Sequence, residues 1–304
     1  MIGDYLRELA GQLDAVGVGG RDARRLVAEA RAHLHDSAEQ IGEHEALRAF
    51  GSPREIAALA AGELATARTR TAAVAAFVVL GVAGAVYAAL FLTLPLAGTP
   101  DIFGGSVPGL GALALAGAVF SPQLAFVSGC LALVRVARLR RRGALPAAEL
   151  SMQRWRTGVA LGAGLLTLAS LSAVALDFWH DIATWWVVAA IVGGIALSPA
   201  LLIVAALGFR SARPLSPASG SAESVYDDLA DVLARVPVLD RVRLPAEPWY
   251  LAFAVAAVAA AGVAAAGIAG GDPLDGLVRA SVEALAVLAC YAALGGKLGL
   301  RPTR

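Results

Sequence analysis

Along residues 1–70 apolar positions recur three and four apart with charges between them. Tyr5, Leu6, Leu9 and Leu13 form one such set, and Leu26, Ala30, His33 and Leu34 form the next. That period predicts amphipathic helices, and the segment reads as three of them. Gly17, Gly19 and Gly20 end the first; the second starts near Arg21 or Asp22 and stops before Gly42. A short segment through Ala46, Leu47 and Phe50 leads to the last helix, which carries Ile56, Leu59 and Ala60. From about residue 72 the alternation gives way to six apolar runs, near 72–97, 109–134, 157–176, 184–208, 249–269 and 277–296. Each is about as long as a helix must be to cross ~30 Å of hydrocarbon.

The joint between the last two N-terminal segments is Phe50-Gly-Ser-Pro-Arg-Glu-Ile-Ala57. Gly51 has no Cβ and suits a helix end with a positive φ. Ser52 can cap the next helix, Pro53 fits its first turn, and Glu55 completes a capping box with Ser52. Nothing between Glu63 and Ala72 breaks a helix except Thr69 and Thr71, so the last N-terminal helix is expected to run on into the first span. The expected architecture is all-α: an N-terminal three-helix cytoplasmic domain over 1–70, then a six-span bundle over 71–304.

Composition supports the membrane assignment: 58% of the 304 residues are hydrophobic and 16% are charged, against ~25% charged in an ordinary globular domain. Mean hydropathy is +0.68. The net charge of +1 carries no information about partners, but the placement of the basic residues does. Arg68 and Arg70 precede the first span, Arg135 to Arg142 with Arg154 and Arg156 separate the second and third, and Arg210 to Arg243 separate the fourth and fifth. Lys297, Arg301 and Arg304 follow the last, while the alternate loops TPDIFGGSVPG, DFWHDIAT and GGDPLDG contain neither Lys nor Arg. The positive-inside rule then puts both termini in the cytoplasm. Residues 2–70 do not have the form of a secretory signal.

The 210–248 connection begins with a Pro/Ser/Gly linker and then shows Val225, Leu229, Val232, Leu233 and Val236 on one helical face, a short amphipathic helix over 224–236. Its apolar face can pack on its own bundle or seat in the lipid interface, or it can dock against residues 2–70 or a partner protein.

Candidate chemistry is sparse. Cys130 and Cys290 each sit inside an apolar run and read as buried small hydrophobes rather than a disulfide. His33 and His35 do not share a helix face, and no phosphate loop, nucleophile elbow or metal-ligand set occurs, so neither enzymatic activity nor a cofactor is expected. Asp177, His180 and Asp181 group two carboxylates and an imidazole beside Trp185 and Trp186; such a His can sense protons or a cation, although interfacial aromatics are ordinarily anchors. Arg279 and Glu283 lie one turn apart in the sixth run, spaced as a self-satisfying pair or as a sensing site. Ala- and Gly-rich spans permit close helix packing and self-association.

Three stretches together resemble the HAAS signalling domain and the closely similar permease prefix domain. They are Tyr5-Leu-Arg-Glu-Leu9, Arg24-Arg-Leu-Val-Ala-Glu-Ala-Arg-Ala-His-Leu-His-Asp36 and Phe50 to Ala57, and the likeness covers residues 2–66. The resemblance implies a small three-helix cytoplasmic domain fused to a membrane module, in bacteria commonly beside a PadR-type transcriptional repressor. It therefore implies a non-enzymatic regulatory protein of the inner membrane that binds a cytoplasmic partner and not nucleic acid directly. A docking face would include Arg21, Arg24, Arg25, Arg31, Glu43 and Glu45, which a solvated surface would equally display. The competing expectation is a transporter or permease subunit with a regulatory prefix.

Overall fold

The computed structural model describes residues 1–97, 109–139, 145–180, 182–209, 248–269 and 273–300. The described residues are helical throughout, in the order α1 (Ile2–Ala15), α2 (Gly20–Ile41), α3 (Glu43–Phe50), α4 (Pro53–Ala97), α5 (Gly109–Arg138), α6 (Ala147–Asp177), α7 (Thr184–Phe209), α8 (Pro248–Ala269) and α9 (Pro273–Leu294). The 224–236 helix and its linker, together with Asp181, lie outside the described residues.

The N-terminal unit differs from the three-helix expectation in one respect. The short segment before the joint is a helix of its own, α3, so three separate helices precede the first turns of α4. Gly42, at φ +87°, sets α3 apart from α2. The core is built from the predicted stripes: Leu6, Leu9, Leu13 and Leu34 are buried with Ala57 and Ala61 of α4. Ile56, Ala60 and Leu64 close over it, which makes the first three turns of α4 part of this unit.

At the joint, the Ser52 and Glu55 box forms as its spacing requires. The Glu55 amide donates to Ser52 Oγ at 3.3 Å, and Glu55 Oε2 accepts from the Ser52 amide at 3.2 Å. Gly51 takes φ +95° and ψ −178°, which is not the left-handed helical region but an extended region open essentially to glycine alone. Gly51→Ala is therefore expected to cost about 1–3 kcal/mol through backbone strain, read as a lower Tm of the full chain in detergent.

The carboxylates here carry a pH signature. Hydrogen bonds from the Ser52 side chain and amide hold Glu55 below its ordinary value of 4.5. The Ile2 amide, first among several causes, does the same to Glu43. Depressed carboxylates stabilise the fold fully above their unfolded pKa, and that stability is lost as pH falls through the folded one. Thermal stability of the unit should thus be flat near neutrality and decline below about 4.5. Ser52→Ala should shallow that decline in a Tm-against-pH series.

Among the described residues, five helical segments each contain a stretch long and apolar enough to cross a membrane: Pro53–Leu90, Ala116–Arg138, Ala147–Asp177, Thr184–Ala206 and Gly276–Leu294. Helix α8 is apolar along its 22 residues and includes the stretch Ala252–Ala265. The chain thus combines an N-terminal helical unit with a multi-span set of helices. Helix α6 is its centre: 56% of its apolar window is buried, against 17–33% in the other four. It packs against α4, α5 and α7, while α8 and α9 pack mainly on each other. Leu161 and Leu168 of α6 meet Ala76 of α4 and Leu201 of α7 in one cluster. Above it, Leu171 and Ala175 meet Leu90, Trp186 and Ala190.

Trp186 departs from the anchoring role of interfacial aromatics. It is buried, and its Nε1 donates to the Leu90 carbonyl at 2.8 Å; Trp185 beside it is exposed. One face of α7 packs on α4, so adjacent tryptophans have opposite fates. Both cysteines are free thiols; Cys130 is half-buried, but Cys290 is on the exposed side of α9 rather than buried.

Candidate functional site

The place where the N-terminal unit joins the spans is built from four elements. Helix α4 is unbroken for 45 residues, about 68 Å at 1.5 Å per residue. It thus belongs to both parts of the molecule. Along its middle, Thr66, Thr69 and Thr71 each donate a hydroxyl to the carbonyl one turn earlier. Such back-bonding satisfies the hydroxyls without breaking the helix.

Contacts from three directions hold this middle stretch. Arg68 Nη2 reaches Asp22 Oδ2 of α2 at 2.6 Å, tying α4 sideways to the N-terminal unit. Arg70 Nη2 donates to the Leu139 carbonyl at 2.6 Å, and the Leu145 amide donates to Thr66 Oγ1 at 3.0 Å. Ala65 packs with Leu139, Leu145 and Leu150 in a small buried cluster. The base of the α5–α6 hairpin is therefore a collar against which α4 leans.

A buried ion pair fixes the collar. Arg135 Nε lies 2.8 Å from Glu149 Oε1 and Nη2 lies 3.2 Å from Oε2, a two-pronged arrangement. The two side chains are only 3% and 4% exposed. One turn further along α6, Gln153 is buried, and Arg156 after it is wholly buried with its Nε donating to the Leu298 carbonyl at 2.8 Å. Lys297 stands over the Trp155 ring, 4.4 Å from its centre. The segment after α9 is thus seated on α6 close to the collar.

Charge counting alone treats Arg135 and Arg156 as members of a basic connection facing the interface. The structure corrects this: both turn inward, because a carboxylate at Glu149 and a carbonyl at Leu298 meet them there. Glu149 was the residue the sequence reading missed. Its one outward sign is that it is the first carboxylate to follow an arginine-rich run, in the first turn of an apolar helix.

The residues singled out from sequence fall in two places. Arg21, Arg24, Arg25 and Arg31 share the exposed face of α2, opposite Ala30 and Leu34. Arg25 Nε is 3.6 Å from Glu29, and Arg24 Nε donates to the Gly20 carbonyl at 3.3 Å. Glu43 and Glu45 are exposed on α3, and Glu43 Oε1 accepts the Ile2 amide at 2.7 Å. Glu43 thereby braces α1, while Arg31 and His35 line the same open groove. His33 packs edge-on against Phe50, ring centres 5.5 Å apart.

At the other end, Asp177 is the exposed last residue of α6, and exposed His180 lies against Trp179 at 4.2 Å. In α9, Arg279 is exposed and Glu283 is buried. These two sets are on different elements.

The N-terminal contacts explain why the resembling stretches go together. Tyr5 donates its hydroxyl to the Gly51 carbonyl at 3.0 Å and packs edge-on against Phe50 at 5.9 Å. Burial, then Glu8 and Glu55, raise the Tyr5 pKa above its ordinary value. The opening motif and the joint are thus one contact, closed over by the α2 stripe.

Residues 4–58 match the HAAS family model. The match stops at the joint and the first turns of α4, so the collar and the spans lie beyond it. No curated protein and no solved structure matches the chain.

Proposed function

We propose that this chain is a non-enzymatic regulatory protein of the bacterial inner membrane whose HAAS unit binds a cytoplasmic protein partner. In this reading both termini are cytoplasmic and the chain crosses the bilayer six times, with α8 as the fifth crossing. The observation that carries it is the continuity of α4: one helix caps the HAAS core, passes through the collar and enters the spans. A rigid element shared by two parts transmits any tilt or rotation of one to the other. The partner favoured by the HAAS resemblance is a PadR-type transcriptional repressor. A repressor held at the membrane cannot reach its operator, so release from α2 and α3 would be the output. The basic face of Arg21, Arg24, Arg25 and Arg31 is the docking surface in this scheme.

The test is capture of the PadR-type repressor from the native host in detergent. The intact chain is compared with one lacking residues 1–66 and with an Arg21→Glu, Arg24→Glu, Arg31→Glu variant. Recovery with the intact chain alone supports the proposal; equal recovery from all three sinks it.

A second reading, a transporter or permease subunit with a regulatory prefix, draws on the buried Arg135 and Glu149 pair within the bundle. Uptake or efflux by proteoliposomes, abolished by Glu149→Gln, would favour it.

A further inference from the structure

Three spans enclose a cavity of about 260 Å³ between α4, α5 and α6. Its walls include Phe77, Gly84 and Tyr87 of α4, Pro122 and Phe126 of α5, and Thr167 of α6. Among the described residues no charged side chain lines it, so a charged occupant would find no partner there. Gly81 and Gly84 are exposed, and a Cβ built on either meets nothing within 4 Å, which leaves an opening in the wall toward the lipid side of α4. An apolar engineered cavity of ~150 Å³ takes up benzene; this one has room for a substituted ring.

One polar contact on the wall has a specific origin. Pro122 lies inside α5 and has no amide hydrogen, so the carbonyl one turn earlier, that of Ala118, loses its intrahelical donor. The Tyr87 hydroxyl supplies the replacement at 3.1 Å, across from α4. Thr167, the other hydroxyl on the wall, is already engaged with the Ala163 carbonyl and with Ser121 Oγ at 2.8 Å. The proline of one span is therefore satisfied by the tyrosine of another, beside an apolar cavity.

We propose that this cavity binds an uncharged, lipid-soluble alcohol whose hydroxyl inserts between Tyr87 and the Ala118 carbonyl, accepting from the one and donating to the other, so that one hydrogen bond becomes two. Such a ligand has an apolar body and enters from the bilayer, which suits the apolar walls and their opening, and its hydroxyl meets the Tyr87 side chain on the wall, which leads to the Ala118 carbonyl just beyond it. Replacing that direct bond by a bridged one loosens α4 from α5 within the span that carries the HAAS unit. The inference deepens the regulatory reading by naming its stimulus, yet its test reads binding alone, so a failed partner capture would leave it standing.

The experiment uses the full chain in lipid nanodiscs with a photoactivatable diazirine derivative of benzyl alcohol, and peptides are mapped by mass spectrometry. Saturable labelling of the α4, α5 and α6 walls is expected, with benzyl alcohol competing more strongly than toluene. The difference should be roughly two- to tenfold, the range one net hydrogen bond supplies. Gly84→Leu, which fills the space, should remove most of the labelling. Tyr87→Phe, which frees the carbonyl, should strengthen competition by benzyl alcohol by a similar factor and leave toluene unchanged. Unsaturable labelling spread over all lipid-facing helices would overturn the proposal. So would equal competition by toluene and benzyl alcohol, which marks an acyl-chain slot, or an unchanged ratio in Tyr87→Phe.

Discussion

Replacing Glu149 with alanine is expected to destabilise the protein by about 3–5 kcal/mol, the cost of leaving one member of a buried ion pair without its partner. Arg135 and Glu149 are nearly inaccessible to solvent, so screening offers no relief when the carboxylate is removed. The guanidinium would remain charged at any accessible pH, which makes the loss larger than for a buried lysine. The effect should extend beyond the pair. Leu139, Leu145 and Leu150 sit on the hairpin base that the pair fixes, and α4 leans on them. Thermal unfolding of the full chain in detergent measures this directly. The double variant Arg135→Met with Glu149→Leu should recover the wild-type Tm or exceed it, because a well-packed apolar pair avoids the desolvation of both ions. A Glu149→Ala variant that unfolds like the wild type would mean the pair contributes little and the collar is held by packing alone.

The second large effect is expected from Ala67→Pro. Proline at this position removes the amide that donates to the Glu63 carbonyl, and its ring clashes with that carbonyl, at ~3 kcal/mol or more. Ala67 is exposed, so no core contact is lost with it. The HAAS unit should still fold, since its core ends at Leu64. What should change is the fixed relation between that unit and the spans. The Arg68 and Asp22 bridge crosses the same stretch, but both groups are about a third exposed, and a partly exposed pair contributes at most ~1 kcal/mol. Spin labels at Glu29→Cys and Leu166→Cys, with Cys130 and Cys290 replaced by serine, report the relation as a distance distribution. A narrow distribution in the parent should broaden in Ala67→Pro and stay narrow in Ala67→Leu. An unchanged width in the proline variant would show that contacts other than α4 set the orientation.

The local parts of this molecule were readable one residue at a time. Ser52, Pro53 and Glu55 act within one turn, so their order alone specifies the cap that forms. The stripes through Leu6, Leu9, Leu13 and Leu34 pack as their period demands, because a helix presents those positions on one side. Long apolar runs likewise become long helices, since hydrocarbon tolerates no unpaired backbone. Of the site residues, the arginines of α2 fall on one exposed face as their spacing requires.

By itself, then, the sequence determined helix type, punctuation, the HAAS core and the apolar character of the spans, all of which depend on neighbours a few residues apart. Only the tertiary structure decided which basic residues turn inward. Arg135 finds its carboxylate 14 residues away, and Arg156 finds its carbonyl 142 residues away. In the sequence they look like the other arginines of the same connection. The cavity is a tertiary product too, because a glycine leaves space only where a neighbouring helix fails to fill it. The bond from Tyr87 to the carbonyl that Pro122 orphans needs two spans in register, and a chain read one segment at a time contains no distance between them.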